Sequence, residues 1–241
     1  GLRQPVVKTP NTEVALGLDL NLLRRQTFLD DRPFSFTVGL TDNMSKATAL
    51  RFSQEWVNRQ PTRVFAARSQ FSLGIDAFDA TISDTGADGK FFVWQGQFQW
   101  VEQLSQKILL VTRFGTQLTL DSLLSFEKFG LGGVNTIRGY PENRLVTDNG
   151  ALGSLEVRIP ITSNPETLQL APFAEIGGGW NNEEPDSDLN TLASLGLGLR
   201  WSISPNFKLR LDYGVPLINT GDEGDSSQDN GLHWSLNYQA F

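Results

Sequence analysis

The sequence contains no cysteine, a single histidine and no long apolar run. Without cysteine there is no disulfide framework, no thiolate metal site and no cysteine nucleophile. With His233 alone, no multi-histidine metal cluster can form. The net charge of −7 argues against nucleic acid as a partner, since phosphate binding needs a basic surface. No stretch of about 18 apolar residues occurs, so no transmembrane helix is expected. The mean hydropathy of −0.24 and the hydrophobic fraction of 39% resemble those of a soluble protein. They do not exclude a membrane barrel, whose strands alternate lipid-facing and lumen-facing residues. No signal peptide is visible and the first residue is Gly1 rather than Met. Either the start has been processed away or the chain is an excised piece.

What is present is alternation. Val14, Leu16, Leu18, Leu20 and Leu22 share one parity, and Glu13, Ala15, Gly17, Asp19 and Asn21 the other. Leu195, Leu197, Leu199, Trp201 and Ile203 alternate with Gly196, Gly198, Arg200 and Ser202. Phe207, Leu209, Leu211, Tyr213 and Val215 alternate with Lys208, Arg210, Asp212 and Gly214. A period of two over such lengths denotes β-strands, and no segment shows a helical repeat. About ten strands are expected, near 12–24, 47–58, 63–75, 91–102, 106–119, 150–161, 168–180, 191–203, 206–217 and 231–241. They match the length of tilted membrane-spanning strands rather than the roughly 5–6 residues of ordinary ones.

The connections alternate too. Short turns at 59–61, 102–105, 163–165 and 204–206 separate long loops at 25–46, 76–90, 120–149, 181–190 and 218–230. Short turns on one rim and long loops on the other is the outer-membrane arrangement, and it puts Phe241 on the periplasmic side. Phe91, Phe92, Trp94, Trp100, Trp180, Trp201, Trp234 and Tyr238 lie near strand ends, as interfacial girdles would, although aromatic residues also favour strands in general. A soluble sandwich or lipocalin-like barrel alternates as well, but with its apolar face inward.

Catalytic and metal readings find little support. The run Gly130-Leu131-Gly132-Gly133 is followed neither by Lys-Ser/Thr nor by a helical pattern, so it gives a phosphate cradle little support. No Gly-x-Ser-x-Gly elbow accompanies His233, and no catalytic residue or cofactor is expected. The acidic stretches 183–188 and 222–229 lack calcium-loop spacing and read as solvated surface; no metal is expected.

The segment from Phe126 to Ile161, FEKFGLGGVNTIRGYPENRLVTDNGALGSLEVRIPI, resembles the lid region of the two-partner-secretion transporters (TpsB, haemolysin secretion/activation type). That family carries a Val/Ile-Arg-Gly-Tyr/Phe tetrad at the tip of a long loop folded into the barrel, here Ile137-Arg138-Gly139-Tyr140. The resemblance further implies an acidic partner for Arg138 in a Phe-x-Asp-x-Gly pattern, matched by Phe173, Glu175 and Gly177. The alternation independently puts these three on the lumenal face. Glu in place of Asp adds a methylene and implies a shifted lid for a two-pronged contact. Chemically, a guanidinium sunk into a barrel requires a carboxylate, Gly139 permits a sharp turn, and Tyr140 is expected to wedge against Phe173. The pair could latch the lid or merely brace the fold. Other lumenal charges, among them Arg113, Glu156, Arg158 and Arg210, could line a conduit, although each taken singly reads better as a cross-strand brace.

The fold expected is therefore an all-β, antiparallel transmembrane β-barrel. By resemblance, residues 1–241 are the C-terminal part of a sixteen-strand barrel, with a lid loop at 120–149 and periplasmic domains elsewhere. Residues 1–10 are expected to be a periplasmic turn, which leaves the segment 12–22 as an open edge. Phe241 falls off the lipid-facing register of the last strand, through a bulge or because it is not the natural terminus. The implied function is export of a secreted partner protein by a monomeric barrel in outer-membrane lipid. An insertase of other barrels, or a passive porin, is the alternative.

Overall fold

The computed structural model describes residues 1–26, 28–29, 32–33, 44–83, 86–183, 189–221 and 226–239, with backbone alone at 28–29 and 32–33. The expectations about 184–188, 222–225 and Phe241 lie outside the described residues.

Eleven strands form one antiparallel sheet in chain order. They are β1 (Leu2–Lys8), β2 (Thr12–Gln26), β5 (Met44–Gln60), β6 (Arg63–Ile75), β7 (Phe92–Gln103), β8 (Leu109–Thr119), β11 (Asn149–Pro160), β12 (Leu168–Trp180), β13 (Thr191–Ser204), β14 (Phe207–Pro216) and β15 (Leu232–Tyr238). Two small hairpins stand apart from it: β3 (Phe28–Leu29) with β4 (Arg32–Pro33), and β9 (Phe129–Leu131) with β10 (Leu145–Thr147). The sheet is open, with β1 and β15 at its edges among the described residues.

The ten expected strands are present with small boundary changes, and β1 is an eleventh. The stretch expected to be a turn pairs with β2 from Leu2↔Leu18 to Lys8↔Glu13, so the 12–22 segment is not an edge. The pattern was hidden for a physical reason. The register shifts between Pro5 and Val7, and that irregularity sets Val6 and Val7 side by side and erases the period of two. Pro5, lacking an N–H, is tolerated because β1 is an edge strand.

The two faces of the sheet differ as lipid and lumen do. Outward side chains are large, apolar and uncovered: Leu18 is 47% exposed, Leu195 50% and Ile176 57%. The inner face holds polar and charged groups that are nonetheless buried, including Gln117, Ser154, Glu156, Glu175 and Asp212. A soluble sandwich or barrel would show the reverse, because so much contiguous apolar surface is tolerated only when something other than water covers it. Among the aromatics, Trp56 packs against Phe65 with ring centroids 4.6 Å apart, Phe65 against Phe98 at 5.1 Å, and Phe207 against Tyr238 at 6.4 Å. All sit towards the short-turn rim. Phe92 and Trp180, both exposed, mark the opposite rim. Phe91 departs from the girdle reading, since it is buried with Ala47, Ala49, Ala87, Val93, Leu123 and Leu124 in a small core.

Candidate functional site

The segment between β8 and β11, expected as a lid loop, is folded onto the inner face of the sheet and is largely buried. Its base is tied to the wall by amides and backbone. Gln70 donates to Gln95 (3.0 Å) and Gln95 to Gln117 (2.7 Å), a ladder across β6, β7 and β8. Gln117 in turn donates to the carbonyls of Glu127 and Asp148, both at 2.9 Å. The Asp148 carboxylate accepts from the backbone N–H of Leu123 (2.9 Å) and of Asn182 (3.1 Å), and Lys128 Nζ lies 3.5 Å from it. Asn149 accepts from the N–H of Thr119 at 2.7 Å. Glu127, also buried, takes both its oxygens to Arg51 Nη2 on β5, at 2.6 and 2.9 Å.

Beyond the base, β9 and β10 pair from Phe129↔Thr147 to Leu131↔Leu145 and carry the tip. Gly132 and Gly133 turn the chain with φ of +106° and +93°, a region that L side chains avoid. Leu131, Ile137, Tyr140, Leu145 and Leu192 close a second apolar core beneath the tip.

All seven residues expected at the latch converge, with one change of roles. Ile137 enters the space over Gly177, where a Cβ would lie 2.8 Å from its Cδ1. Arg138 is fully buried. Its Nε (3.0 Å) and Nη2 (2.6 Å) both donate to Glu175 Oε1, while its backbone N–H donates to Glu175 Oε2 at 2.7 Å. The two-pronged guanidinium–carboxylate contact is therefore replaced by a carboxylate that grips side chain and backbone together. The ring of Phe173 is covered by the Arg138 guanidinium, 3.5 Å from centroid to Cζ, and not by Tyr140 as expected. Tyr140 turns aside, its hydroxyl lying within hydrogen-bond reach of the carbonyls of Ala193 (2.8 Å) and Ile218 (3.0 Å). Gly139, at φ +95°, rests directly on β14: a Cβ at Gly214 would meet its nitrogen at 2.6 Å.

Two further carboxylates complete the grip. Arg138 Nη1 donates to Glu156 Oε2 at 2.7 Å and to Asp212 Oδ1 at 2.9 Å. Around them stand Arg113 on Glu175 (3.2 Å), Arg158 on Glu156 (2.8 Å), Arg200 on Glu156 and Asp212 (2.7 and 2.8 Å), and Arg210 on Asp212 (2.5 Å). Arg113, Glu156, Arg158 and Arg210 thus join one network, where sequence reasoning favoured separate cross-strand braces. Arg210 also reaches the tip, donating to the Val134 carbonyl at 3.1 Å. Arg68 sits elsewhere, against Glu55 and Gln70. Burial alone would lower the affinity of Arg138 for its proton, but Glu175, Asp212 and Glu156 outweigh it and hold the guanidinium protonated beyond its ordinary range.

Register explains the convergence. Ser154–Glu175–Ser194 forms one inward row, Glu156–Phe173–Gly196–Gly214 the next, and Ala171–Gly198–Asp212–His233 the one after. The three acids lie within two rows of each other, and the glycines leave the space that Phe173 and the tip occupy. Sequence reasoning missed the direct roles of Glu156, Asp212 and Gly214, and missed Glu127 and Asp148 as anchors. The available signal was inward parity on β11 and β14, but the loop anchors have no periodic signature at all.

This arrangement of strands and inner segment has relatives. Residues 10–239 match the family described as the Omp85 superfamily domain. The chain belongs to the Omp85 superfamily. It is 29% identical over 211 residues to the outer membrane protein assembly factor BamA of Nitratidesulfovibrio vulgaris, covering 79% of this chain and 25% of that one. To the outer membrane transporter CdiB of Escherichia coli O6:K15:H31 it is 23% identical over 225 residues, 90% of this chain and 37% of that one. The solved structure of CdiB from Escherichia coli superposes with a TM-score of 0.77 at 19% identity, over 98% of this chain and 44% of the other. The chain thus spans between a quarter and two fifths of the length of these curated relatives. As an Omp85 domain it has the outer-membrane β-barrel fold, and the outward apolar face is its lipid face.

Proposed function

We propose that residues 1–241 are the C-terminal part of an Omp85 transporter that passes a secreted partner protein across the outer membrane, with residues 120–149 as its lid and Arg138 as the latch. The reading rests on Arg138. A fully buried guanidinium is held by three carboxylates from three different strands, yet it is carried on a segment whose own hairpin stands outside the main sheet's ladder. Such a contact locks a lid strongly while closed and leaves no covalent or β-ladder connection to undo. Transport needs no nucleotide in this scheme, because the conduit only has to be cleared. The CdiB relative supports a secreted partner, and the likeness to the two-partner-secretion lid supports the mode. The haemolysin-type subclass within that mode is part of the proposal.

A second reading is assembly of other barrels, favoured by the BamA relative, which has the higher identity of the two. Both readings use the same lid. Arg138→Ala in the full-length protein separates them from a bracing role. We expect a protein that still shows the heat-modifiable mobility of a folded barrel but no longer exports its partner. Normal export together with normal barrel assembly in the Arg138→Ala strain would defeat the lid reading. Intact export with failing barrel assembly in the cell would select the second.

A further inference from the structure

The tip of the lid lies on a notch of bare backbone in the last two strands of the sheet. Gly139 presses on Gly214, and a side chain at Gly231 would collide with the Gly214 carbonyl and approach Gly139. In that notch the N–H of Gly139 points at a side chain, His233 of β15, and donates to its Nε2 at 3.1 Å. His233 is 3% exposed. The tetrad's glycine therefore has its amide satisfied by the chain's single histidine.

We propose that His233 is a positioning residue for the lid: as neutral imidazole it seats Gly139 on β14 and β15, and on protonation it releases the tip. This rests on the lid reading above. Only one ring nitrogen of neutral imidazole accepts, so the contact requires the proton on Nδ1 and a free lone pair on Nε2. Imidazolium donates from both nitrogens, and the Gly139 N–H would then face another N–H. The charged groups around the ring are Asp212 and Arg210 on β14 and Arg138 and Glu142 on the lid. The natural counter-ion, Asp212, is already committed: Arg138 and Arg200 hold its Oδ1 and Arg210 its Oδ2. A new cation there competes with the guanidiniums that close the latch. Among side chains, imidazole is the one whose unperturbed charge change lies nearest neutral pH, so acidification is the natural probe of the contact. The contact also couples the lid to the sheet's final strand.

These 241 residues contain no cysteine, so no native thiol within them competes with introduced spin-label sites. Asn135 on the tip and Gln97 on the opposite wall border one cavity and are both exposed. With Asn135→Cys and Gln97→Cys labelled in the full-length protein in lipid, the label–label distance reads the lid directly. We expect one short distance at pH 7.5. At pH 5.5 a longer population should grow by roughly five- to tenfold relative to it, the loss of one hydrogen bond of ordinary net strength. His233→Gln, whose Oε1 accepts but does not titrate, should stay closed at both values, and His233→Phe should be displaced at both. An unchanged wild-type distance between the two pH values, or a His233→Gln protein that follows the wild-type shift, overturns the proposal. Arg138→Ala is the control. If it displaces the label while the His233 variants and pH do not, only the role of His233 falls. If Arg138→Ala also leaves the distance unchanged, the lid reading falls with it.

Discussion

The base and the tip of the inner segment are both buried, yet they are held in opposite ways. The base is bound by many short ties to backbone groups: Gln117 to two carbonyls, Asp148 to two amides, Asn149 to a third. Most of these link residues about 30 apart in sequence, next to the strands from which the segment departs. The tip is bound chiefly by one charged cluster, with a few neutral contacts beside it, across separations such as 74 residues for Arg138–Asp212 and 94 for Gly139–His233. Distributed ties fail one at a time. A shared cluster fails as a unit, because each carboxylate removed leaves the remaining charges uncompensated in a dry site. The base therefore suits a hinge and the tip a latch.

Charge reversal separates the two regions most sharply. Arg138→Glu would set a fourth carboxylate among Glu156, Glu175 and Asp212, and removing one partner of a buried ion pair already costs about 3–5 kcal/mol. We expect complete loss of export, with a folded barrel retained in a heat-modifiability gel. Export at half the normal level or more would show that the tip is not a latch. Asp148→Ala is the matching blow to the base. It leaves the buried N–H of Leu123 without its acceptor, at about 1–3 kcal/mol, and also frees the more exposed N–H of Asn182. Thermal unfolding should shift down, and hydrogen exchange should rise at 120–128 before it rises at 137–140. Exchange appearing first at the tip would invert the comparison.

Gly214→Ala acts on the tip without touching a charge. Its Cβ would meet the Gly139 nitrogen at 2.6 Å, backbone against strand, so the tip must lift. We expect increased conductance in a planar bilayer and little change in unfolding temperature, and unaltered conductance would count against backbone docking. The smallest effect is expected from Glu175→Asp. It keeps the charge but shortens the reach, so the carboxylate can serve the guanidinium or the Arg138 amide but not both. One charge-assisted hydrogen bond is lost, about 1.5–3 kcal/mol, and export should fall partially where Glu175→Gln abolishes it.

How much of this was legible beforehand follows the range of each interaction. Alternation along β2, β13 and β14 told lumen from lipid correctly because side-chain direction in a strand is set by the strand itself. Ile137, Arg138, Glu175 and Gly177 were found through a motif, and Glu175 had inward parity as independent support. Tyr140 was assigned to Phe173 because aromatic rings commonly pair. In the structure the guanidinium takes that ring, as it arrives with its charge already balanced by Glu175 below. β1 was hidden by a register shift, and the base anchors Glu127 and Asp148 by lying in a loop with no period.

By itself, then, the sequence determined an all-β chain, its inward and outward faces, its rims and the residues of one conspicuous tetrad. All of these follow from local backbone geometry or from a contiguous motif. Only the tertiary structure decided that Glu156, Glu175 and Asp212 surround a single arginine, and that Gly139 lies on Gly214 beneath His233. Those meetings depend on the registers of β11 through β15 together with a segment that folds back over them. Register is a relation between strands, set by every pair at once, and no stretch of the chain read alone contains it.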